Sequence, residues 1–153
     1  MATTVTNASL TVTVSDSITL NGQSYGNTNT TTIPNIDEVY ARVVEVASGS
    51  FTPIFTVGGT GQGSVDSTKV KYIRITNLDN VNYVNLKVFG TNAMVIKLEA
   101  GKSFILTGNS SGIGFDASAV DIAQSAVSLN STFQISAEAK VASCDLELFV
   151  ASI

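Results

Sequence analysis

Val84-Asn85-Leu86-Lys87-Val88-Phe89-Gly90-Thr91-Asn92-Ala93-Met94-Val95-Ile96-Lys97-Leu98 reads as two strands and the turn between them. Val84, Leu86 and Val88 fall on one side of the first run, and Met94, Ile96 and Leu98 on one side of the second. Gly90-Thr91-Asn92 between them has turn chemistry. A strand with one face buried and one face wet produces this period of two. The same alternation places Leu10, Val12 and Val14 together. Near the C-terminus it sets Cys144, Leu146, Leu148 and Val150 on one side, with Asp145 and Glu147 facing the other.

Further strands are predicted over residues 17–20, 38–47, 51–57, 69–77, 102–107 and 132–142. They are punctuated by Asn21-Gly22, the Gly-rich run from Gly58, Asn77 to Asn80, Ala100-Gly101 and Gly108-Asn109. Many short strands at this spacing mean a sandwich or a barrel, and no strand-helix alternation supports a doubly wound nucleotide fold. Within residues 38–47 the apolar positions change side near Val43-Val44, which predicts either a bulge or a strand buried on both faces. Only residues 117–129 carry helical spacing, and they read as a short helix or an irregular loop. No internal repeat or composition break divides residues 1–153, so one domain is expected.

A chain of 153 residues can bury roughly 70% of its unfolded surface. Its single cysteine, Cys144, forms no internal disulfide, so packing and strand pairing must hold the fold. Eight basic and twelve acidic side chains give a net charge of −4. With so few cations, a nucleic-acid backbone is excluded as the main partner. The N-terminus has neither the basic start nor the apolar run of a secretion signal, and no stretch approaches the ~18 apolar residues of a membrane helix. Synthesis in cytoplasm is expected, with no membrane partner. Charged residues are only 13% of the chain while hydrophobic ones are 44%, so the surface must be built from Ser, Thr, Asn and Gln. Such a surface is easier to desolvate and suits a subunit with much contact area.

Motifs for chemistry are incomplete. Gly108-Asn109-Ser110-Ser111-Gly112 matches a nucleophile elbow letter for letter, yet the chain has no histidine to activate Ser110. Gly101-Lys102-Ser103 looks like the end of a phosphate loop, but Ile96 stands where the first glycine is required. Gly59, Gly61 and Gly63 lack dinucleotide spacing. One Cys without His supplies at most one soft ligand for zinc, and Asp79-Asn80 beside Asn82 is better explained as an Asx turn than as a calcium loop. Asp37-Glu38 and Asp145 with Glu147 are the candidate carboxylate pairs for a sugar hydrolase, the second pair lying on an outward strand face. Tyr25, Tyr40, Tyr72 and Tyr83 offer stacking surfaces without any tryptophan. No catalytic, cofactor or metal residue is therefore assigned, and Cys144 reads as a small buried hydrophobe. Two segments are more polar than the rest, residues 23–35 and 58–67. The first is either a solvated loop or an arm ordered by a neighbouring subunit.

The stretch Tyr72-Ile73-Arg74-Ile75-Thr76-Asn77-Leu78-Asp79, then Val84 to Val88, then Ile96-Lys97-Leu98-Glu99-Ala100-Gly101-Lys102-Ser103-Phe104, resembles small virion proteins of tailed bacteriophages over about a third of the chain. The resemblance implies a jelly-roll or related sandwich, no catalytic residues, and a structural part of a virus particle. The expectation is thus an all-β antiparallel sandwich, jelly-roll-like, acting without catalysis or cofactor. Its role would be that of a capsid decoration, or cement, protein that ties a shell together. Its partners would be itself, as a homotrimer or another small homo-oligomer, and the major capsid protein or other virion proteins. The rival expectation is a neck or tail-fibre component that binds a receptor or glycan, and a carboxylate-based hydrolase ranks behind both.

Overall fold

The computed structural model describes residues 6–57, 65, 69–89, 93–108 and 133–153. Twelve strands are present and no helix occurs among the described residues. Eight of them, β5 (Glu38–Val46), β6 (Thr52–Val57), β7 (Val70–Asn77), β8 (Val84–Phe89), β9 (Ala93–Leu98), β10 (Ser103–Thr107), β11 (Phe133–Ala139) and β12 (Cys144–Ser152), build two four-stranded antiparallel sheets. One sheet runs β10-β7-β12-β5 and the other β6-β11-β8-β9.

These orders define the fold. Counted inward from its two ends, the run of eight strands pairs first with last: β5 with β12, β6 with β11, β7 with β10 and β8 with β9. The nested hairpin is then rolled so that β12 also meets β7 and β11 also meets β8. This is a jelly roll, a sandwich of two Greek keys. Its core lies between the sheets, where Ile73, Ile75, Val84, Leu86, Ile135, Leu146 and Leu148 are fully buried. The alternation seen in the sequence is the cause, since each sheet turns every second side chain inward. Cys144 and Val150 are buried on the same side, while Asp145 and Glu147 point outward as their positions predict.

The strand β5 departs from expectation. It pairs with β12 without a break from Glu38 opposite Ser152 to Val46 opposite Cys144, so no bulge explains the change of side at Val43-Val44. Nor is it buried on both faces. Val46 is buried and Tyr40 and Val44 pack against the core, whereas Val39 and Val43 point outward and remain 56% and 59% exposed.

One end of the sandwich is organised by Asn77, which is fully buried. Its Nδ2 donates to the carbonyls of Asn82 (2.9 Å) and Leu98 (3.3 Å), and its Oδ1 accepts from the amide of Asp79 (3.0 Å). Its backbone bonds to Lys102 and Gly101 in the turn before β10. One side chain therefore joins the end of β7, the loop 78–83 and the end of β9. The Gly-rich residues 58–64, the helical spacing over 117–129 and Ser110 with its neighbours Asn109, Ser111 and Gly112 lie outside the described residues.

Candidate interaction surface

The remaining four strands precede the sandwich: β1 (Ala8–Ser15), β2 (Ile18–Leu20), β3 (Gln23–Tyr25) and β4 (Thr28–Ile36). Residues 23–35, expected as a loop or as an arm ordered by a neighbour, are instead half of a hairpin completed within the chain. Asn21 and Gly22 make its turn with φ of 51° and 77°. Positive φ at both central residues is the two-residue geometry that matches strand twist. From there the register is unbroken: Leu20 faces Gln23, Ile18 faces Tyr25, Ser15 faces Thr28 and Leu10 faces Ile33, all at one offset. The Asp16 amide bonds to the Asn27 carbonyl where the two strand pairs meet. Gly26 is required beside it, because a Cβ there would run into the Asp16 carbonyl oxygen.

Residues directly opposite each other share a face, so this ribbon has two unlike faces. One is a ladder of hydroxyls: Thr13 with Thr30 (3.2 Å), Ser15 with Thr28 (2.9 Å) and Thr19 with Ser24 (3.4 Å). The other carries Leu10, Val12, Val14, Asp16, Ile18 and Leu20 from one strand and Ile33, Thr31, Asn29, Asn27, Tyr25 and Gln23 from the other, so it is mainly apolar along β1 and β2 and mainly polar along the partner strands. Hydropathy conceals β4, since Thr and Asn alternate with Thr. The readable signal was Asn21-Gly22 with Thr- and Val-rich runs at equal distance on either side.

At the base, the apolar face packs on the outside of the β10-β7-β12-β5 sheet. A bulge at Pro34-Asn35, with Asn35 at φ 62°, lets Ile33 and Ile36 both turn inward. They join Tyr72 and Ala151, with Leu10, Val12, Phe149 and Ile153 at the margin. Tyr72 meets Phe149 edge-on at 6.0 Å, and burial pushes the Tyr72 hydroxyl pKa up. Arg74 lies over the Phe149 ring and binds Glu147 at 2.8 Å. Beyond the base, residues 13–32 are all exposed, and Asp16 is their only charge. Val14, Ile18, Leu20 and Tyr25 are each half exposed or more.

The residues weighed for chemistry are dispersed. Gly101-Lys102-Ser103 forms the tight turn into β10, with Gly101 at φ 68°. Asp37 and Glu38 sit where the ribbon joins the sandwich, the Asp37 amide on the Ser152 carbonyl and the Glu38 carboxylate near the Ser152 hydroxyl. Cys144 is buried, its Sγ 3.5 Å from the Ala142 carbonyl, and burial raises its pKa. Among the tyrosines, Tyr40 packs on Phe55, Tyr83 lies under Lys97, and Tyr25 alone is on the ribbon.

At the Asn77 end, Glu45, Asp79 and Asp145 edge an open groove of about 430 Å³. Asp79 Oδ1 is already engaged by the amides of Asn82 (2.6 Å) and Val81 (2.7 Å), which is an Asx turn. No cluster of three or more His, Cys, Asp or Glu suited to a metal occurs among the described residues. Those amides, Asn82 first, hold the Asp79 carboxyl below its ordinary value. Its contribution to stability is then complete above the ordinary carboxylate range near pH 4 and is lost as pH falls through the lowered folded value. Asp79→Asn keeps an acceptor for both amides. It is expected to leave neutral stability nearly unchanged and to flatten the acid limb of stability against pH; an unaltered acid limb in denaturant titrations would remove Asp79 from that role.

No match to this chain is found among family models, curated proteins or solved structures.

Proposed function

We propose that this protein is a structural subunit of a tailed-phage virion, a decoration protein that binds the outside of a capsid shell and acts without catalysis. The observation that carries the proposal is the ribbon: twenty consecutive exposed residues, 13–32, with one charge among them and Val14, Ile18, Leu20 and Tyr25 left bare on one face. A two-stranded ribbon alone in water is marginal, and an arm built only to stay in solvent would be charged. This one is made to be covered. The jelly roll behind it supplies a rigid mount, and its low charge lets subunit faces desolvate easily. Mechanically, such a subunit stabilises a shell by adding buried area across the seams between capsomers.

The receptor-binding alternative would use the groove at Glu45, Asp79 and Asp145. It is the weaker reading, because Asp79 is occupied by its own turn and no aromatic ring among the described residues lines that groove.

Copy number in purified particles tests the proposal. Hundreds of copies per particle are expected, with rebinding to stripped shells saturating at a fixed ratio. Since few ion pairs are available, occupancy should change little between about 0.05 and 0.5 M salt. A handful of copies per particle would instead indicate a neck or fibre part, and failure to rebind shells would end the decoration reading.

A further inference from the structure

We propose that Asn21-Gly22, at the tip of the ribbon, is a site of spontaneous covalent modification. While the ribbon is uncovered, Asn21 converts to aspartyl and isoaspartyl forms, and the isoaspartyl form unfastens the outer hairpin. The chemistry stands on the turn alone, whereas its effect on shell binding rests on the decoration reading above.

Asn21-Gly22 is the only Asn-Gly step among the 153 residues. A backbone nitrogen can attack the side-chain carboxamide carbon of the asparagine before it, and the main obstacle is the side chain on its own residue. Glycine has none. The Gly22 nitrogen bonds to Asn21 Cγ as the bond from Cγ to Nδ2 breaks. The proton on the Gly22 nitrogen leaves with the Nδ2 group as ammonia, and a succinimide ring remains. Water then opens the ring. Cleavage at Cγ restores the original main chain with an aspartyl side chain, whereas cleavage at the Asn21 carbonyl carbon routes the main chain through Cγ as isoaspartyl. One water is consumed and one ammonia released, and nothing is oxidised or reduced.

The fold leaves these groups available. Asn21 and Gly22 are both exposed, and a Cβ built on Gly22 would meet nothing within 4 Å. No backbone hydrogen bond among the described residues holds the Gly22 amide. Ring closure requires the turn to leave its φ of 51° and 77°, and that opening is cheap. The strands that meet there, β2 and β3, have three residues each, all exposed, and a two-stranded pair in water is marginal. The packed cluster of Ile33, Ile36, Tyr72 and Ala151 lies at the far end of the ribbon. Asn29 is an internal comparison, because it is equally exposed but held in the ladder opposite Val14 and followed by Thr30, whose branched side chain shields the nitrogen. Isoaspartyl at position 21 adds a backbone atom to a two-residue turn that sets Leu20 opposite Gln23 and Ile18 opposite Tyr25. That register depends on the turn geometry, so β2 and β3 separate while β1 and β4 stay paired on the base. The new carboxylate also adds to Asp16, otherwise the only charge between residues 13 and 32. A covered ribbon cannot open its turn, so conversion proceeds on the free subunit and stops on the assembled one.

The test is to age the full chain at mildly alkaline pH and map its peptides by mass, with isoaspartyl quantified by enzymatic methylation. Asn21 should convert roughly ten times faster than Asn29. Asn21→Gly keeps a residue pair that accepts positive φ at both turn positions and should show no conversion at that position. Hydrogen exchange over residues 18–25 should rise several-fold in aged wild type and stay at its fresh value over residues 28–36; aged Asn21→Gly should change in neither. Conversion at Asn21 no faster than at Asn29 overturns the modification site, and unchanged exchange over 18–25 after conversion overturns the unfastening. On stripped shells, aged wild type should bind several-fold more weakly than fresh, and aged Asn21→Gly as well as fresh. Fresh Asn21→Asp, which carries the charge without the extra backbone atom, should bind as fresh wild type does; binding as weak as that of the aged protein would assign the loss to charge and refute the role of register. If Asn21 converts but neither fresh wild type nor fresh Asn21→Gly binds shells, the decoration reading fails and the modification site stands. If fresh protein binds and fully converted protein binds equally well, the decoration reading stands and the proposed effect on binding fails.

Discussion

Leu86→Ala is expected to cost about 2 to 5 kcal/mol of folding stability. Leu86 is fully buried in the core, on a strand with neighbours on both sides. Directly across from it stand Ile96 on β9 and Ala137 on β11. Ala137 is too small to move into the space a shortened side chain leaves, so a cavity term adds to the lost transfer energy and the upper half of the range is expected. Domains of this size are stable by only about 5 to 15 kcal/mol, so the loss is a large share of the total. Urea unfolding should show a lower midpoint at an unchanged slope. A loss below about half a kcal/mol would mean that the strand presents its other face to the core.

Asn77→Ala should be of similar size, about 2 to 4 kcal/mol, for a different reason. The substitution removes a side chain that satisfies the carbonyls of Asn82 and Leu98 and the amide of Asp79, and each buried polar group left without a partner costs roughly 1 to 3 kcal/mol. The lower end applies if water enters. Asn77→Asp separates the polar account from simple loss of volume. It keeps the shape but points an anion at two carbonyl oxygens, so at neutral pH it should be at least as destabilising as alanine. Folding should then raise the new carboxyl's pKa, because the protonated form can donate one of the missing bonds. Its deficit is therefore expected to shrink as pH falls through that raised value, whereas the alanine deficit stays flat relative to wild type. Equal pH dependence of the two variants would show that the hydrogen bonds at Asn77 contribute little.

Much of the sandwich was legible because strand chemistry is local. Val84, Leu86 and Val88 announce a half-buried strand through spacing alone, as do Leu146, Leu148 and Val150, and burial follows that parity in both. The Asx turn at Asp79 was equally readable, since its carboxylate reaches amides only two and three residues ahead. Asn77 was not. Its partners at Asn82, Asp79 and Leu98 span 21 residues, and the sequence marks it only as a turn residue.

The ribbon shows where hydropathy runs out. Thr28 to Thr32 alternate in space between a hydroxyl ladder and the face that carries Val12 and Val14, but Thr and Asn have too little contrast for that alternation to register in the sequence. A related blindness affects β5. Val39 and Val43 on the side opposite Val44 and Val46 look like a bulge or double burial, because a sequence reports which residues are apolar and not whether anything covers them.

By itself, then, the sequence determined that the chain is built of strands, which faces of β8, β9 and β12 turn inward, and that its surface is poor in charge. All three depend on residue type and a period of two. Only the tertiary structure decided the jelly-roll order of the strands, the closing of residues 8–36 into a ribbon, and the meeting of that ribbon with Tyr72 and Ala151. Strand partners separated by up to 114 residues are selected by the packing of whole sheets, and pairing energies between neighbouring strands are too alike for any local stretch to name its partner.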